Sequence, residues 1–200
     1  GWVDHGAILG AELLVIQHRD TILHTVRGVN QVEESQPLRK DQIYRIHSMT
    51  KPMTATAIFM LVEDGTLSLD DRVAEYIEAY RNDRCRQITI RQLLYHTAGF
   101  GQPAYPRGSI DLYSSLEEAV TDLAEHGPEH TPGEEYHYSD GHSATLGLII
   151  QKVTGMPPEQ FLEKHIFEPL GMRDTYCDIG DIAGDRDRLC NVYIWREGGY

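Results

Sequence analysis

Ile43-Tyr44-Arg45-Ile46-His47-Ser48-Met49-Thr50-Lys51-Pro52 is the stretch on which the fold and its chemistry turn. Ser48 and Lys51 are three apart. Pro52 suits a first helical turn, and Met53, Ala57, Met60 and Leu61 mark an apolar face that ends at Gly65. That reading places a hydroxyl and an amine one turn apart on one helix face. A serine is a weak nucleophile until a neighbouring base takes its proton, and an unprotonated lysine at that distance can do so. Lys51 is therefore expected to be desolvated, or to lie beside other positive charge, with a lowered pKa. A Ser-x-x-Lys tetrad is common by chance, so the rest of the chain decides its weight.

Upstream, Ala11 to Gln17 and Thr21 to Gly28 are rich in strand-forming residues and are joined by His18-Arg19-Asp20, which reads as a hairpin. Asp41 to His47 reads as a short extended approach to Ser48. Downstream, Thr89 to His96 reads as a short helix stopped near Gly99, and Gly99 to Gly108 as a loop. Ser115 with Glu118 forms a capping-box pattern opening a helix to about His126. Asp140 to Thr154 is a strong helix with Ala144, Leu146, Ile149, Ile150 and Val153 inward, closed by Gly155, and Pro158 to Ile166 is another. Leu189 to Trp195 is strand-like. The order of two strands, a long helical block and a late strand gives an α+β class. A lone hairpin is marginal in water, so the sheet is expected to be incomplete in this chain.

Composition sets limits. Two hundred residues, 40% hydrophobic, suffice for one well-buried domain with room for two lobes. A formal net charge of -13 argues against nucleic acid and anionic membrane surfaces. No stretch approaches the roughly 18 apolar residues of a membrane span. No signal peptide is visible at Gly1, and a cytoplasmic location is expected, with periplasmic or secreted alternatives open. Cys85, Cys177 and Cys190 form no Cys-x-x-Cys pair, so neither a disulfide framework nor a zinc knuckle is implied. Among the ten histidines, His126 and His130 are four apart, but Gly127-Pro128 breaks any helix that would align them. Neither a metal site nor a cofactor is expected. The acidic run from Asp178 to Asp187 lacks a calcium-loop pattern and reads as a solvated loop.

Tyr138-Ser139-Asp140 opens the strong helix, after Thr131-Pro132-Gly133. A tyrosine there can serve as a general base or proton relay, or it can be a packed aromatic. Asp140 can hydrogen-bond Lys51 or cap the helix.

Together with Leu67-Ser68-Leu69-Asp70-Asp71, Gln92-Leu93-Leu94-Tyr95-His96-Thr97-Ala98-Gly99, Leu146-Gly147-Leu148-Ile149-Ile150 and Phe167-Glu168-Pro169-Leu170-Gly171-Met172, these segments resemble the penicillin-recognising serine hydrolases: class C β-lactamases, DD-peptidases and family VIII carboxylesterases. The resemblance runs over nearly the whole chain, and Ser-Met-Thr-Lys-Pro looks most like the esterase branch. It implies a β-lactamase-like domain with an antiparallel sheet flanked by helices and a helical lobe. Residues 1–47 would hold the first strands, 48–172 the lobe with Ser48 and Tyr138, and 173–200 the return to the sheet. It implies Ser48 as the acylated nucleophile, Lys51 as the activating group and Tyr138 as base or relay. The Ser48 backbone N–H would be one oxyanion donor.

Two departures matter. Asp140 stands where β-lactamases of this type carry Asn; a carboxylate only accepts hydrogen bonds, which weakens the case for recognising a β-lactam amide. The late Lys-Thr-Gly, His-x-Gly or Trp-x-Gly motif is absent, and the family's leading helix is mostly missing before Gly6. A second chain or a further C-terminal segment is therefore expected to complete the sheet. The leading expectation is a carboxylesterase acting on a small ester or amide. The alternatives are a β-lactamase or DD-peptidase, or an inactive ligand-binding or scaffold homologue.

Overall fold

The computed structural model describes residues 1–182 and 184–193. The chain forms two compact units. One comprises Gly1–Ile46 with the described part of Asp174–Tyr200, and the other is His47–Arg173.

The first unit is built on the hairpin. Strand β1 (Gly10–Gln17) pairs antiparallel with β2 (Asp20–Gln31), Gly10 facing Gly28 and Gln17 facing Asp20. The connection is tighter than the sequence suggests. Asp20 already pairs, and His18 and Arg19 alone make the turn, both with positive φ (51° and 71°). Two left-handed residues in succession match the right-handed strand twist. Gly28 (φ 92°) is required by close approach, because a Cβ there would fall 2.1 Å from the Leu9 carbonyl oxygen. A third strand, β3 (Gln36–Pro37), extends the order to β1-β2-β3. Leu13 and Leu14, on opposite faces of β1, are each about half exposed (52% and 50%), as are Ile16 and Ile22.

Ile43 makes a single parallel bridge to Leu189. Of the described residues of the expected late strand, only Leu189 pairs; those after it are irregular to Tyr193, and Ile194 and Trp195 lie outside the described residues. Among its described residues the acidic run is mostly exposed, as a solvated loop is, with local turns within it. It folds into a short 3₁₀ turn at Ile179–Ile182, and Asp174 and Asp185 grip the Arg188 guanidinium at 2.9 and 3.2 Å.

The second unit is helical. Its main elements are α1 (Lys51–Glu63), α2 (Ile90–Leu94), α3 (Leu116–His126), α4 (Asp140–Thr154), α5 (Pro158–Leu162) and α6 (Glu168–Leu170). Helix α4 is central and packs against α1, α2, α3 and α5. Its stretch Thr145–Ile150 is buried on every side, as suits an interior helix. Around it lie Ala57, Ile58 and Leu61 of α1, Leu93 of α2, Val120 and Leu123 of α3, and Phe161 of α5. The Tyr80 hydroxyl finds the Thr145 Oγ1 at 2.9 Å inside this core.

The caps explain the boundaries. Thr89 and Gln92 form a full reciprocal capping box on α2. On α3 only half of the expected box forms. Ser115 Oγ accepts from Glu118 N–H, but the Glu118 carboxylate goes to Ser114 and Arg107 instead. Gly155 ends α4 in the left-handed conformation. The helix expected from Pro158 to Ile166 is α5 followed by a π-helical turn at Glu163–Phe167. Pro169 has no N–H to give to the His165 carbonyl and its ring crowds it, so the ladder widens there. Among the described residues no helix is long and apolar enough to cross a membrane.

Candidate active site

Ser48 lies in a 3₁₀ turn, His47–Thr50, that runs into α1 at Lys51. The tighter winding of such a turn stacks residues i and i+3 almost directly over one another. Accordingly Lys51 Nζ donates to Ser48 Oγ at 3.2 Å. Tyr138, one residue before the Ser139 that caps α4, swings its hydroxyl to 2.6 Å from the same Ser48 Oγ. Lys51 Nζ also sits 4.8 Å from the centre of the Tyr138 ring. Residues ninety positions apart in sequence thus share one hydrogen-bonded cluster within the helical unit.

Of the two expected roles for Asp140, the structure takes one. Ser139 Oγ accepts from Gly141 N–H and is the N-cap, while Asp140 is the first residue of α4. Its Oδ1 receives Lys51 Nζ at 2.5 Å and its Oδ2 receives Gln102 Nε2 at 3.0 Å. This pairing overturns the expectation for Lys51. Burial alone would pull the ammonium's pKa down, but the hydrogen bond and charge of Asp140, helped by Tyr138, outweigh it and hold Lys51 above a lysine's ordinary value. Burial likewise pushes the Asp140 carboxyl up, and the Lys51 and Gln102 hydrogen bonds bring it below the usual range. The resting arrangement is therefore an ion pair. Next to it opens a cleft of about 400 Å³, lined by Lys51, Thr54, Gln102, Tyr105, Asp140 and Ser143 among others.

Two histidines support the cluster and were not singled out by their spacing. His96 (φ 55°) stacks on the Tyr138 ring with centroids 4.8 Å apart. Its Nδ1 accepts the Ser139 N–H at 3.3 Å and lies 2.8 Å from Nδ1 of the buried His142. An atom accepting from a backbone N–H carries no proton. His96 is thus the Nε2–H tautomer, and His142 must be the donor through its own Nδ1–H. Among the described residues His142 Nε2 has no hydrogen-bond partner, and its lone pair is left bare in the core. Burial, and then the proximity of His96, push His142 down to about 3. His96 is lowered too, by burial and by the Lys51 charge, with Asp140 opposing. His96 falls within a segment that carries the family resemblance, whereas His142 reads simply as a core position of α4. Elsewhere, His130 lies not with His126 but with Glu135 and His137.

The chain thus carries a helical unit and a small antiparallel sheet, and within the helical unit Ser48, Lys51 and Tyr138 meet at the start of α1. The Beta-lactamase family model matches residues 3–191, and the chain belongs to that family with its β-lactamase-like fold. Esterase EstB of Burkholderia gladioli is 31% identical over 202 residues, covering 93% of this chain and 50% of its own length. The octameric penicillin-binding protein homologue from Pyrococcus abyssi superposes with a TM-score of 0.88 at 31% identity, over 99% of this chain and 47% of that one. EstCE1, a hydrolase with promiscuous acyltransferase activity, gives a TM-score of 0.82 at 27% identity, over 96% of this chain and 53% of its own. The chain spans about half the length of these relatives.

Proposed function

We propose that this chain carries the acylation machinery of a serine hydrolase that cleaves small carboxylic esters through an acyl-Ser48 intermediate. The observation that carries the reading is the 2.6 Å contact between Ser48 Oγ and the Tyr138 hydroxyl, with Lys51 Nζ 3.2 Å from the same Oγ. Asp140 holds Lys51 as a cation, and the Tyr138 hydroxyl lies between Ser48 Oγ and Asp140 Oδ1, the latter 3.5 Å away. As Oγ attacks the ester carbon, its proton passes to the Tyr138 oxygen while the Tyr138 hydroxyl proton passes on to the Asp140 carboxylate. The Lys51 cation then faces the developing negative charge. The proton returns through Tyr138 to the leaving alkoxide; water then attacks the acyl-enzyme, its proton taking the same route and returning to Ser48 Oγ as the acid leaves.

Hydrolysis of β-lactams or D-amino-acid peptides is the second reading, supported by the likeness to a penicillin-binding protein homologue. Asp140 stands against it, since both its oxygens already accept hydrogen bonds and neither can donate to an amide carbonyl. Parallel assays with p-nitrophenyl butyrate and a chromogenic cephalosporin separate the readings. Faster ester turnover is expected. Faster cephalosporin turnover would favour the second reading, and neither turnover nor acylation would favour an inactive ligand-binding homologue. The bare apolar faces of β1 support cover by a further segment or a second copy. A monodisperse monomer by light scattering would count against that cover by a second copy.

A further inference from the structure

On the loop between α3 and α4, His130, Glu135 and His137 bring one ligand atom each within 4.8 Å of one another. We propose that this trio binds a divalent metal ion of the zinc class, in a site separate from the Ser48 cluster and independent of the reading given to it.

The loop is held by its backbone. His130 N–H donates to the Gly99 carbonyl at 3.1 Å, Gly133 N–H to Thr97 at 2.7 Å, and His137 N–H to His96 at 2.8 Å. The first contact depends on Gly99, where a Cβ would lie 2.2 Å from the His130 carbonyl oxygen. The ligating residues are thus brought together by an anchored loop. Glu135 and His137, two apart, face the same way, with Glu135 Oε2 3.2 Å from His137 Nε2. The His130 and His137 rings lie face to face, centroids 3.6 Å apart and 2° from parallel. Among the described residues, no hydrogen bond occupies the His130 ring nitrogens.

Zinc–nitrogen bonds of about 2.0–2.1 Å place donors in one tetrahedral shell roughly 3–3.5 Å apart, so the trio must close by an ångström or so. Parallel rings also have to tilt for their in-plane lone pairs to converge. Both movements are open to His130 and Glu135, which are exposed. Two imidazoles and one carboxylate suit zinc, cobalt, nickel or copper. Calcium and magnesium, which prefer oxygen ligands throughout, fit poorly. Three protein ligands leave at least one position to water. The ion would tie down the segment that leads directly into Tyr138.

The test is a titration of the protein with Co²⁺, followed by its visible absorption, and with Zn²⁺ by calorimetry. Wild type is compared with His130→Ala, His137→Ala and, because the chain has ten histidines, the exposed His126→Ala as control. One ion per chain at micromolar affinity is expected, weakened at least about tenfold in the first two variants and unchanged in the third. No saturable binding below millimolar concentration, or undiminished binding by His130→Ala and His137→Ala, would overturn the proposal.

Discussion

Replacing Asp140 with Asn discriminates between the two roles open to Lys51. The carboxylate holds the ammonium through a 2.5 Å charge-assisted hydrogen bond. Such bonds contribute about 1.5–3 kcal/mol. The Asp140 side chain is 51% exposed, so solvent screening places this one near the low end, about 1.5 kcal/mol. If Lys51 is the cation and the Ser48 proton relays through Tyr138 to Asp140, Asp140→Asn removes both the ion pair and the final acceptor and slows acylation at least about tenfold, since 1.4 kcal/mol is a factor of ten. If instead neutral Lys51 is the base, the same substitution enriches the reactive form and raises the rate. Groups this close titrate as a coupled set, so the pH profile alone does not separate these cases. The direction of the rate change at fixed pH does. The assay is the pre-steady-state burst with p-nitrophenyl butyrate at pH 7.5, with thermal unfolding as the check on fold. A variant as fast as wild type, or faster, would refute the assignment of Lys51 as the cation and Tyr138 as the acceptor.

Two further outcomes follow from the same geometry. Tyr138→Phe keeps the ring stacked on His96 but removes the oxygen 2.6 Å from Ser48, so the acylation rate should fall on the order of 10²–10⁴ with little change in unfolding temperature. His142 is held near 3 when folded and titrates near 6.5 when unfolded, so the unfolded state binds the extra proton between those values and stability falls as pH drops through that window. Denaturant titrations of wild type against His142→Asn should differ in slope by about 1.4 kcal/mol per pH unit, or roughly 2–3 kcal/mol between pH 6.5 and 4.5; parallel curves would show that His142 does not carry this dependence.

Much of the fold is legible because local signals agree with tertiary burial. The hairpin follows from its strand-forming runs, α3 from Ser115, and α4 from its apolar positions and Gly155. What escapes the sequence is set by distant partners. Lys51 carries no local mark of its protonation, which depends on a carboxylate 89 positions away. Ser139, not Asp140, caps α4, because the Lys51 contact draws the Asp140 carboxylate away from the helix end. His142 looks like any inward residue of α4; its meaning comes from the His96 nitrogen, fixed in turn by the Ser139 backbone. The π-helical turn before Pro169 escapes because a proline is read as a terminator, whereas a packed helix can widen around one.

The central claim is that Ser48 becomes acylated, and its most direct test is intact-protein and peptide mass spectrometry after treatment with a fluorophosphonate and, separately, with rapidly quenched p-nitrophenyl butyrate. The account predicts one adduct per chain on the peptide containing Ser48, absent in Ser48→Ala; an adduct on another residue, or undiminished labelling of Ser48→Ala, would contradict it.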